Sequence, residues 1–140
     1  MPALCVLLCS VSLAGPADLD ARALQGTWRP TALEHDGSVA TEDRLARCRL
    51  VLAEQHLTTR EGERLLQTAT FHLMPSADPP AIDLTATSGP DRGKVHRGIY
   101  KVDGDTLVLC LGGPGQERPR EFRSPAGSGH ALIILKRVKP

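Results

Sequence analysis

Apolar and polar residues alternate along most of this chain, and the alternation breaks wherever glycine, proline or aspartate collects. Ala69, Phe71 and Leu73 share one face of their segment while Thr68, Thr70 and His72 share the other, the period of two that a half-buried strand requires. Ile82, Leu84 and Ala86 repeat the pattern against Asp83 and Thr85, and Leu107, Leu109 and Leu111 repeat it again. In a further run Gly98, Tyr100 and Val102 fall on the inner face, leaving Arg97 and Lys101 to water. Asp36-Gly37, Glu61-Gly62, Ser88-Gly89-Pro90, Asp103-Gly104, Gly112-Gly113-Pro114-Gly115 and Gly127-Ser128-Gly129 punctuate these runs roughly every eight to fifteen residues, the rhythm of an antiparallel all-β domain. Between them lie the strand-like segments Thr27–His35, Arg49–Ala53, His56–Arg60, Gln67–Leu73, Ala81–Thr87, Val95–Val102, Thr106–Leu111 and Ala131–Val138. Eight such segments suffice to close an eight-stranded antiparallel up-and-down barrel.

One stretch departs from this period and predicts a short helix between the first two strands. Thr41 can cap it, Glu42 and Asp43 sit where the helix dipole favours acids, and Arg44 and Arg47 fall towards its end. Gly112 to Gly129 is a long connection rich in Gly, Pro and Arg, expected as a flap or loop over one rim. No internal repeat or linker divides the chain, so residues 19–140 read as one barrel domain. Residues 1–14 differ: Ala3 to Ala14 carries no charge, is too short to span a bilayer, and ends in the small-residue pattern Ser12-Leu13-Ala14. That reads as a signal peptide and implies export to the periplasm or the extracellular space; without it the protein is cytoplasmic. Cys5 and Cys9 fall within this leader. Cys48 and Cys110 remain, and two strands at about 4.8 Å each separate them, too far for a disulfide needing Cα atoms within about 7 Å. They are expected as separate buried thiols.

Composition narrows the functional classes. The 140 residues hold 17 Lys and Arg against 16 Asp and Glu, a net charge of +1, and the signs are interspersed, so no nucleic-acid partner and no anionic membrane surface is indicated. Catalytic patterns are absent. Gly127-Ser128-Gly129-His130 lacks the Gly-x-Ser-x-Gly elbow that activates a nucleophile. Gly89-Pro90-Asp91-Arg92-Gly93-Lys94 is one residue short of a phosphate loop and leads into Val95 and a strand. His35, His56, His72, His96 and His130 show no ligand spacing, and Asp83, Asp103 and Asp105 suit turns and outer faces. The reading is a monomeric non-enzyme with no catalytic residue, metal, cofactor or membrane-spanning segment in the mature chain. A barrel of this size either encloses a cavity for a small apolar molecule or is just wide enough for side chains to fill. The cavity candidates are Trp28, Phe71, Ile82, Leu84, Tyr100 and Leu109.

Leu24-Gln25-Gly26-Thr27-Trp28, Glu34-His35-Asp36-Gly37, Ala81-Ile82-Asp83-Leu84-Thr85, Gly98 to Leu107, Arg118-Pro119 with Phe122, and Leu135-Lys136-Arg137 occur in this order. Together they resemble an uncharacterised lipocalin-like domain family expanded in planctomycete bacteria. The resemblance runs from about Leu19 to the C-terminus and implies a small calycin-type barrel, often behind an export signal, with no established activity. It also implies that Trp28 plugs one end of the barrel, with Gly26 easing the chain past its ring, and that an Arg closes over Trp28 by a cation–π contact; Arg137 is the choice for it, although parity does not separate it from Lys136. Two functions follow as expectations. The first is an exported carrier or sensor of a small apolar molecule. The alternative is a solid-barrel interaction module whose rim loops, through Arg118, Arg120 and Arg123, contact a protein partner or an anionic glycan.

Overall fold

The computed structural model describes residues 16–139, so the segment read as a leader lies outside them. The chain forms α1 (Pro16–Leu24), β1 (Gly26–His35), β2 (Ser38–Val39), α2 (Glu42–Arg47), β3 (Cys48–Ala53), β4 (His56–Glu61), β5 (Arg64–Met74), β6 (Ala81–Ala86), β7 (Val95–Asp103), β8 (Thr106–Pro114) and β9 (Ala131–Arg137). Every strand pairs antiparallel with the next from β3 to β9, β1 pairs with β3, and β9 returns to β1. The result is a closed eight-stranded up-and-down barrel of lipocalin type. The extra strand, β2, is a two-residue hairpin folded onto the end of β1.

Pairing follows the alternation in the sequence. The inward row Leu73, Ile82, Gly98, Leu111 runs across four strands, and the outward row Ala81, Ile99, Cys110, Leu132 runs beside it. Gly98 is required on the inner row: a Cβ there would lie 2.5 Å from Leu111 Cδ2 and 2.7 Å from the Cys110 carbonyl oxygen. Pro30 interrupts β1 because it has no N–H to donate, and the β1–β9 register shifts between Pro30 and Ala32. Beyond Trp28, β1 parts from β3, and α2 packs against β1 with Leu45 buried. Thr41 caps α2, its hydroxyl accepting from Arg44 N at 3.4 Å.

Two features differ from the sequence reading. A second helix, α1, precedes the barrel; proline suits the first turn of a helix, and Leu24 at its end is fully buried. The long connection does not arch over a rim. Its first residues prolong β8 to Pro114, and the rest lies along the outer wall, where Ala81, Ile99, Cys110 and Ser124 are buried. Arg118 pins it there, donating to the Ile82 and Gly98 carbonyls at 3.0 and 2.7 Å and pairing with Asp83 at 2.7 Å. Cys48 and Cys110 are both buried and free. No helix among the described residues is long and apolar enough to cross a membrane.

Candidate functional site

The two ends of the barrel are built differently. The strand ends carrying Trp28, Leu52 and Arg137 form the base, and α1 closes it. Trp28 is fully buried and its indole N–H donates to the Leu24 carbonyl at 2.9 Å. The Arg137 guanidinium lies 4.3 Å from the Trp28 ring centroid, donates to the Ala23 and Gln25 carbonyls at the end of α1, and pairs with Asp105 at 3.1 Å. One side chain thus covers the indole and caps the helix. A Cβ on Gly26 would meet Arg137 Nη1 at 2.8 Å, and Gly26 has φ 128°, so glycine is needed there to admit the guanidinium. The Gln25 amide clips α1 to the β3–β4 turn, accepting from Glu54 N at 2.6 Å and donating to the Glu54 carbonyl at 2.9 Å. On the far side of α1, Asp20 accepts the Tyr100 hydroxyl. Burial, then that hydrogen bond and the nearby carboxylate charge, push the Tyr100 phenol above its ordinary range.

Above this floor the lumen is not filled. A cavity of about 120 Å³ lies within the barrel, walled by Leu50, Leu57, Ala69, Leu84, Ala86, Leu109, Leu111 and Ile133. Three polar side chains share the wall: Thr59, Gln67 and His96. Thr59 and Gln67 are direct cross-strand partners, whereas His96 stands on β7 opposite Leu84. His96 Nδ1 is 3.1 Å from the Gly112 carbonyl oxygen. Among the described residues no aspartate, glutamate, lysine or arginine lines the cavity.

Of the six cavity candidates, Leu84 and Leu109 are on its wall. All six belong to the core cluster with Leu24, Leu52, Leu107 and Leu135, and Trp28, Phe71, Ile82 and Tyr100 do not line the cavity. The bulkiest inward side chains fill the barrel's width, and the void opens where alanines 69 and 86 stand on the wall. Alternation puts Thr59, Gln67 and His96 on the inward face, since they share parity with Leu57, Ala69 and Gly98. Arg118 is engaged with the outer wall, and Arg123 pairs with Glu121 at 3.3 Å.

The remaining motifs form no second site. Ser128 donates to the Pro125 carbonyl at 2.5 Å and meets His130 through its backbone N–H, not its ring. Lys94 and Asp91 pair at 3.8 Å within the Gly89–Lys94 turn. Among the described residues no group of three or more His, Cys, Asp or Glu side chains could hold a metal ion. Larger hollows of about 400 and 520 Å³ are grooves on the outer surface, beside Asp20, Asp78 and Lys101 and beside Glu117, Arg118 and Arg120 respectively. No family model, no curated protein and no solved structure matches the chain.

Proposed function

We propose that this protein is an exported lipocalin-like binder of a small, largely apolar molecule, belonging with the uncharacterised planctomycete family that its sequence resembles, and that it performs no catalysis. The observation that carries the reading is the apolar cavity of about 120 Å³ left inside an otherwise packed barrel. A core of ordinary design would close it with larger residues at positions 69 and 86. The volume is well under the roughly 300–1,000 Å³ of drug-sized sites and close to the roughly 150 Å³ cavity that accepts benzene. A ligand of benzene size fits; a long-chain lipid does not.

Leu and Ile methyl NMR of the full chain with benzene tests this. Shifts should concentrate at Leu50, Leu84, Leu109 and Ile133 and be lost in Ala86→Leu, a variant that fills the void. No shift at these methyls under saturating benzene contradicts the reading. The interaction-module alternative draws on Val39, Leu65 and Leu66, which are apolar yet 74%, 50% and 38% exposed and lie at the barrel end opposite the base.

A further inference from the structure

The polar side chains on the cavity wall define the chemistry of what enters it. Thr59 and Gln67 face each other across β4 and β5 beside the register shift at Thr59/Arg60. Gln67 lies beyond the β5–β6 pairing that begins at Ala69, and the Thr59 hydroxyl and Gln67 amide, which make no hydrogen bond with the protein among the described residues, reach solvent through the cavity. His96 is half satisfied. The Gly112 carbonyl can only accept, so Nδ1 carries the hydrogen and donates. Nε2 faces the Asp91 carboxylate at 3.7 Å, an ion pair only when the ring is protonated. The wall therefore offers both donors and acceptors and includes no aspartate, glutamate, lysine or arginine among the described residues. Apolar side chains make up the remainder.

We infer that the lumen selects a compact, uncharged molecule with one hydrogen-bonding end, such as a small phenol or alcohol, whose polar group is held by Thr59, Gln67 and His96 while its body lies against the leucines. This rests on the lumenal reading above and adds the ligand's class. An ion is disfavoured because the wall has no opposite charge to offset its desolvation. A wholly apolar molecule is admitted but offers the Thr59 hydroxyl and the Gln67 amide no hydrogen bond in place of the water it displaces. The outer grooves do not compete, since their walls carry charged, solvated side chains.

The test compares three probes of one shape, benzene, phenol and benzoate, titrated into the full chain and followed at the cavity methyls. Phenol should bind at least about fivefold more tightly than benzene, in line with one net hydrogen bond, and benzoate should not bind. Thr59→Val, Gln67→Leu and His96→Phe should each retain benzene binding, which also shows that the variant is folded, and at least one should lose the advantage of phenol. Equal binding of phenol and benzene, an advantage that survives all three substitutions, or benzoate binding as tightly as phenol overturns the inference and leaves the cavity reading intact. No binding of either benzene or phenol overturns both.

Discussion

Tyr100 and Asp20 set the chemistry of the base at the residue scale. The phenol is almost wholly buried, donates to the carboxylate, and has its ionisation pushed upwards. The folded state holds this proton more tightly than the unfolded chain, whose tyrosine titrates near 10.0. The stability contributed by Tyr100 is therefore whole below pH 10 and declines as pH rises above it. Because the chain has a single tyrosine, tyrosinate absorbance reads this site alone. It should stay absent as pH passes through 10 and appear only together with unfolding, followed by circular dichroism. A reversible titration near pH 10 in the folded protein would contradict the hydrogen-bonded, buried placement.

Helix α1 is held to the barrel by side chains from three strand regions, and Arg137 is the joint between them. Its guanidinium caps the helix, lies over Trp28 and pairs with Asp105. Arg137→Ala should cost about 2–3 kcal/mol, the sum of a partly exposed cation–π contact and hydrogen bonds to carbonyls left unpaired. Emission from the single tryptophan should move to longer wavelength as water reaches the indole. Arg137→Lys should recover only part of the loss, because a point charge cannot span two carbonyls and a carboxylate. Unchanged stability and emission in the alanine variant would mean that α1 is not seated there. The strands themselves were legible, since Phe71, Leu84 and Leu109 carry a period of two that only one face of a sheet satisfies. Helix α1 was not, because its nine residues show too little apolar period to stand out. The Gly112 to Gly129 connection has no period, and only the Arg118 contacts reveal that it lies on the wall.

At the scale of the whole molecule the barrel combines a packed base with an unfilled lumen above it. Alternation assigns side chains to inside or outside, and for Ile82, Leu84 and Leu107 it did so correctly. It cannot sum their volumes against the width of a closed barrel, so the sequence could not distinguish a solid lumen from a hollow one. Nor could it separate Leu84, on the cavity wall, from Ile82, which shares its core cluster but lies off that wall. Thr59 and Gln67 carry no sequence signal and His96 is one of five scattered histidines, because polar residues on an inward face contradict the usual pattern and only the void beside them explains it. Everything proposed for function depends on that void. A crystal pressurised with xenon reads it most directly, because xenon occupies apolar cavities of this size without needing polar contacts. One xenon site is expected inside the barrel, in contact with Leu84, Leu109 and Ile133. A lumen with no xenon density, and with those side chains closed against one another, would contradict the account.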